Sequence, residues 1–155
     1  MSLFRKHEPP EARPLLPKAA VCFASPAMTR YAADWLRELG GCKTLGVLSD
    51  DCADVVWQCA AEQADLLLLE TDFTEGVEDK DVSSRCDIAI EVRRKLPDCR
   101  VYLVCEDGHP EKLPALEKAV ELKLIDGFCI GDLAAEQMRT WLDETAETIN
   151  GRSAR

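Results

Sequence analysis

Asp65-Leu66-Leu67-Leu68-Leu69-Glu70 sets four consecutive leucines between two acids. A run this short and this uniformly apolar suits a strand covered on both faces, which is the condition of a central strand in a parallel sheet. The strand it predicts spans 65–71, and four more segments have strand character, 18–25, 43–49, 100–106 and 126–131. The stretches between them carry apolar residues at helical spacing. After the first strand these are Tyr31, Trp35, Leu36 and Leu39, ended by Gly40–Gly41. After the second they are Val55, Val56, Cys59 and Ala60, with Ser49, Asp50 and Asp51 as cap candidates. A third helix over 83–96 turns Ile88, Ala89 and Val92 inward and is stopped by Pro97 and Asp98. A fourth, from Pro110 to about 123, turns in Leu113, Leu116 and Val120. The last, over 134–149, turns in Met138, Trp141, Leu142 and Thr145. Strand–helix alternation of this kind predicts an α/β domain with a parallel sheet and any site at the carboxyl ends of the strands. Those ends carry Ala24, Ser25, Glu70, Cys105 and Gly131.

The bulk numbers narrow the function. A chain of 155 residues makes one domain with an ordinary core. The net charge of -10 opposes binding to a nucleic-acid backbone or to anionic lipid, so neither nucleic acid nor membrane is an expected partner. Residues 1–17 contain four of the eight prolines and read as a flexible leader without the apolar stretch of a secretory signal. The expected compartment is therefore the cytoplasm. The domain is expected over 18–149, with a tail over 150–155.

Candidate chemistry is sparse. The turn after the first strand, Ala24-Ser25-Pro26-Ala27-Met28-Thr29-Arg30, has no glycine to let backbone N–H groups approach a phosphate. Ser25 has no histidine near it in sequence, and a serine there ordinarily caps the helix. The eight cysteines show no C-x-x-C spacing, so they read as free structural thiols rather than metal ligands or disulfides. The stretch after the third strand holds Glu70, Asp72, Glu75, Glu78, Asp79 and Asp81, but Gly76 is out of step with a calcium loop and the acids read as solvated. Neither a catalytic residue nor a metal or cofactor site is expected.

Several local patterns, in order, resemble the receiver domain of two-component response regulators. Met28-Thr-Arg-Tyr with Trp35-Leu-Arg-Glu-Leu-Gly40 is similar to the first receiver helix. Ala64-Asp-Leu-Leu-Leu-Leu69 resembles the strand before the phosphorylated aspartate. Ile88-Ala-Ile-Glu-Val-Arg-Arg-Lys-Leu-Pro97 followed by Val101-Tyr-Leu-Val104 resembles the third helix and fourth strand. Ala119-Val-Glu-Leu-Lys-Leu-Ile-Asp-Gly-Phe128 resembles the approach to the fifth strand. The likeness covers about residues 18–149 and implies a flavodoxin-like (βα)5 three-layer sandwich with strand order 2-1-3-4-5.

What the resemblance implies about chemistry is a set of departures. Active receivers hold Mg²⁺ with two acids after the first strand and with the aspartate that accepts phosphate, and they end the fourth and fifth strands with Thr or Ser and with Lys. Those groups offset the negative charge of phosphoryl transfer. Here the matching positions are Ala24 and Ser25, Glu70, Cys105 and Gly131, with Asp72 as an alternative acceptor. The implied function is a degenerate, phosphorylation-independent receiver-like module that is not an enzyme. It would act by protein–protein interaction through the fourth helix, fifth strand and fifth helix, within 113–124 and 136–149, with a homodimer among its partners. Two alternatives stand beside it: a phosphorylatable receiver in a phosphorelay using Glu70 or Asp72, and a small-molecule binder at the strand-end crevice. Atypical receivers of this kind also occur in pilus-assembly ATPases.

Overall fold

The computed structural model describes residues 16–23, 25–49, 51–71 and 80–153. Five strands, β1 (Lys18–Cys22), β2 (Lys43–Gly46), β3 (Leu66–Thr71), β4 (Arg100–Cys105) and β5 (Gly127–Ile130), pair in parallel in the order β2-β1-β3-β4-β5. Five helices alternate with them: α1 (Pro26–Leu39), α2 (Cys52–Glu62), α3 (Lys80–Lys95), α4 (Leu113–Glu121) and α5 (Ala135–Ser153). This is the flavodoxin-like architecture expected from the sequence. β3 ends at Thr71 as predicted, and the other four strands end one to three residues before their predicted bounds.

The leucine run lies in the middle of the sheet, and its pleat divides the core in two. Leu67 and Leu69 pack with Val55, Cys59, Ala89, Val92 and Leu116. Leu66 and Leu68 pack with Leu36, Tyr102, Met138, Trp141 and Leu142. Successive strand residues point to opposite faces, so one uninterrupted apolar run is what a doubly covered strand requires. β4 alternates in step, with Val101, Leu103 and Cys105 on the first face and Tyr102 and Val104 on the second. The Tyr102 ring stacks on Trp141 at 4.4 Å between centroids, and its hydroxyl accepts a hydrogen bond from Arg100 Nε at 2.8 Å.

Some inward faces differ from expectation. In α1 the buried stripe is Thr29, Ala32, Ala33 and Leu36, while Tyr31 is 72% exposed and Trp35 and Leu39 are only partly buried. The small side chains of Ala32 and Ala33 lie on the buried side of the helix, and the Tyr31 ring beside them is left to solvent. Thr29 turns inward because its hydroxyl accepts from the Phe23 N–H at 2.9 Å, where β1 ends. A single 3-10 turn, Pro110–Lys112, precedes α4, so Leu113 begins the helix half-exposed and Leu116 and Ala119 carry its buried face. Helix α5 continues through Asn150–Ser153, into the stretch expected to be a tail. The predicted inward residues of α3 and α5 are all buried.

None of the eight cysteines forms a disulfide. Burial pushes the Cys59 thiol up to about 12 and the Cys129 thiol up to about 11, and it raises Cys99, Cys105, Cys42 and Cys86 as well. A thiol whose folded pKa is raised favours the native state fully below its unfolded pKa of about 8.5 and loses that contribution as pH climbs toward the folded value. Stability is therefore expected to fall above pH about 8.5, by as much as about 1.4 kcal/mol per pH unit for each such thiol. Thermal unfolding from pH 7 to 10.5 checks this, and a flat midpoint would contradict it. No described helix is long and apolar enough to cross a membrane.

Candidate functional site

The carboxyl ends of β3, β4 and β5 meet at one edge of the sheet. Register pairs Glu70 with Val104, Thr71 with Cys105, and Cys105 with Ile130. The Gly131 N–H then donates to the Cys105 carbonyl at 2.8 Å and ties the two strand ends together. Three of the six expected pocket residues, Glu70, Cys105 and Gly131, thus line a single cleft of about 320 Å³. Thr71, Glu106, Asp107 and Asp132 line it with them. Ala24 and Asp72, with the rest of the acidic stretch from 72 to 79, lie outside the described residues.

Ser25 does not join the cleft. Its backbone is extended, its Oγ accepts from the Met28 N–H at 3.1 Å, and its carbonyl accepts from the Thr29 N–H at 2.9 Å. With Pro26 as the first helical residue, this is a standard start for α1. The hydroxyl is occupied in capping rather than presented to a reacting atom. Replacing Ser25 by Ala is expected to cost about 1 kcal/mol of stability, read as a lower urea midpoint. An unchanged midpoint would mean that the cap is dispensable.

The side chains at the edge divide by strand parity. Glu70 belongs to the face of Leu66 and Leu68, whereas Thr71 and Cys105 belong to the face of Leu67 and Leu69. The Cys105 thiol is buried, and burial raises its pKa against a smaller opposing effect of the Thr71 hydroxyl. A buried protonated thiol is a poor nucleophile. Thr71 itself is buried and donates to the Val104 carbonyl at 3.1 Å. The Glu70 carbonyl accepts from Arg85 Nε at 2.9 Å, which places a buried guanidinium behind the strand end. Gly131 has φ +86, a conformation that residues with a Cβ rarely adopt.

A second cleft, of about 370 Å³, adjoins the first and shares Glu70, Val104, Gly131 and Asp132 with it. It runs between α1 and the turn from β5 to α5, with Phe23, Met28, Tyr31, Trp35 and Leu133 in its walls. Taken together, the described residues lining the two clefts include four carboxylates and neither lysine nor arginine. Among the described residues no three His, Cys, Asp or Glu side chains converge where a metal ion would sit. A hard divalent cation needs a converging set of oxygen donors, so the described donors do not fit the Mg²⁺ of an active receiver.

Sequence reasoning missed Thr71, Glu106, Asp107 and Asp132. The signal was present for the last three, which stand in or beside the turns that leave β4 and β5.

Comparison with known proteins supports the fold. No protein-family model matches the chain, and no curated protein matches it by sequence. Solved structures do match. A response regulator receiver domain protein from Clostridium thermocellum is similar with a TM-score of 0.65 at 12% identity, over 85% of this chain and 95% of that one. A protein from Burkholderia pseudomallei described as pilus assembly-related is similar with a TM-score of 0.61 at 13% identity, over 86% and 91%. A DNA-binding response regulator of the LuxR family from Staphylococcus aureus is similar with a TM-score of 0.58 at 17% identity, over 89% and 99%. The chain has the receiver fold.

Proposed function

We propose that this receiver-fold domain is a degenerate signalling module that acts by protein–protein interaction without being phosphorylated. The observation that carries this reading is the strand-end cleft. Where an active receiver places a lysine at the end of β5, this chain has Gly131 at φ +86 followed by Asp132. The cleft wall is completed by Glu70, Glu106 and Asp107. A phosphoryl group brings about two negative charges, and here it would enter a site lined with carboxylates, with neither lysine nor arginine among the described lining residues. Glu70, a carboxylate side chain at the position matched to the acceptor, stands in for part of the phosphorylated state. Ser25, at one acid-pair position, is engaged in capping α1.

On this reading the domain is not an enzyme, works in the cytoplasm and offers a constitutive surface to a protein partner. The expected surface is formed by α4, β5 and α5, where Leu122 and Ile130 are exposed, and a second copy of the chain is one partner to test. The likeness to a pilus assembly-related protein extends the range of processes such a module serves.

Beryllofluoride with Mg²⁺ mimics a phosphoryl group on an acceptor carboxylate. Titration of the full chain, followed by amide NMR, is expected to leave the signals of Glu70, Thr71, Cys105 and Gly131 unmoved. Saturable shifts at those residues would establish a working phospho-switch and sink the proposal. If shifts occur, Asp72→Asn and Glu70→Gln separate the two candidate acceptors.

A further inference from the structure

We propose that residues 2–8 of this chain, which lie outside the described residues, add to the outer edge of β2 as a further strand, antiparallel to the five described. The site is the edge of the sheet opposite β5, and the proposal is independent of whether the domain is phosphorylated.

Among the described residues β2 ends the sheet. The Lys43 N–H donates to the Pro17 carbonyl at 2.8 Å and the Val47 N–H to the Val21 carbonyl at 2.8 Å, both toward β1. Backbone groups alternate in direction along a strand, so Thr44 and Gly46 turn their N–H and C=O away from β1. No described strand lies there to pair with them. Lys43 is exposed, and Thr44, Leu45 and Gly46 are only partly buried. An open edge of this kind takes up an extended segment through its backbone groups.

The first residues of the chain arrive at this place. Pro17, bonded to Lys43, brings them to the foot of β2. From the line of β1 to the outer edge of β2 is two strand spacings, about 10 Å, which about three extended residues cover. Proline divides the segment. Pro9, Pro10, Pro14 and Pro17 cannot donate to a ladder and suit the turn, whereas Ser2 to Glu8 is free of proline and longer than the four residues of β2. So short a link returns the chain antiparallel, since a parallel neighbour needs a crossover of a dozen or more residues. Antiparallel edge strands on otherwise parallel sheets are common.

Charge agrees with this occupant and sets a register. With Glu8 at the foot beside Lys43, Arg5 comes level with Gly46, at the end of the edge nearest Asp54. Asp54 on α2 accepts from Ser49 Oγ at 2.9 Å, just past β2, and Glu62 at the other end of α2 pairs with Lys18 at 3.2 Å. This side of α2 therefore carries acids along its length, and the segment offers Arg5 and Lys6. A second copy of the chain would bring another -10 to an acidic molecule and fits the edge less well.

Amide hydrogen exchange and backbone NOEs, read by NMR on the full chain, test the proposal. NOEs are expected between residues 3–8 and Thr44–Gly46. The Thr44 and Gly46 amides should exchange at least about tenfold more slowly than in a Phe4→Pro, Arg5→Pro double variant. Adjacent strand residues face opposite ways, so one of the two prolines must remove a donor turned to β2. Both positions lie outside the five described strands, so the Lys43 and Val47 amides, bonded to β1, should keep their wild-type rates. An absence of these NOEs in the wild type, or Thr44 and Gly46 rates unchanged by the prolines, would overturn the proposal. NOEs that arise only between differently labelled copies would also overturn it and assign the edge to a second molecule.

Discussion

Leu68→Ala is expected to lower the free energy of unfolding by about 2–5 kcal/mol, the range for leucines removed from packed cores. Leu68 is fully buried in the central strand of the sheet. Its neighbours across the sheet are Val21 in β1 and Tyr102 in β4, and the layer it faces holds Leu36, Met138 and Trp141. A rigid ring stack at Tyr102 and Trp141 limits how far that layer can collapse into the space left behind. Leu67→Ala should cost a comparable amount through the opposite layer, where Val92 and Leu116 lie. Leu122→Ala, at a residue 55% exposed, should fall within about 0.5 kcal/mol of the wild type. Urea denaturation of the three variants checks the pattern. A cost below about 1 kcal/mol at both core positions would contradict a strand buried on both faces.

Asp126→Ala should cost about 2–3 kcal/mol, although the side chain lies at the edge of the fold rather than in its centre. One carboxylate oxygen of Asp126 accepts from the Val101 N–H at 2.8 Å and also from Arg93. The Asp126 N–H in turn donates to the Val101 carbonyl at 2.7 Å. Arg93 reaches on to the Lys123 carbonyl at 2.6 Å, the Leu124 carbonyl at 3.1 Å and the Cys99 carbonyl at 3.3 Å. This one cluster joins the end of α3, the start of β4 and the turn into β5, where Lys123 holds φ 61. Both charged side chains are about three-quarters covered, at 23% and 25% exposure, so solvent screens the pair only in part. Truncation leaves the Val101 N–H without its acceptor and takes the carboxylate from Arg93 Nη2, while the Arg93 bonds to the Cys99, Lys123 and Leu124 carbonyls remain. Asp126→Asn keeps an oxygen for Val101 and should lose roughly half as much. Equal stability of Asp126→Ala and the wild type would show that water replaces the carboxylate at no cost.

Much of the fold was legible because burial leaves a local trace. The leucine run 66–69 suits a strand covered on both faces, and the structure places it in the centre of the sheet with alternate residues in the two cores. Met138, Trp141, Leu142 and Thr145 mark one helical face, and all four are buried in α5. Ser25 before Pro26 announces a helix start through local backbone chemistry alone. Tyr31 misled for the complementary reason: a large ring at helical spacing looks like core, yet the buried stripe of α1 is formed by Thr29, Ala32, Ala33 and Leu36. The end of α5 was missed because Asn150-Gly151-Arg152-Ser153 carries turn residues, although Asn150 Nδ2 donates to the Ala146 carbonyl at 2.8 Å and holds the helix past that point.

Thus the sequence by itself determined which segments are strands and helices, most of the faces they bury and the order in which they follow one another. Those properties depend on contacts within a turn of helix or along a strand. Only the tertiary structure decided what stands together at the strand ends. Bringing Glu70, Cys105, Gly131 and Asp132 to one edge depends on the register of three strands separated by two crossovers. The apolar groove beside them depends on how α1 packs against the sheet beside the β5–α5 turn. Neither quantity is carried by any single stretch of chain, because both arise from packing between segments distant in sequence.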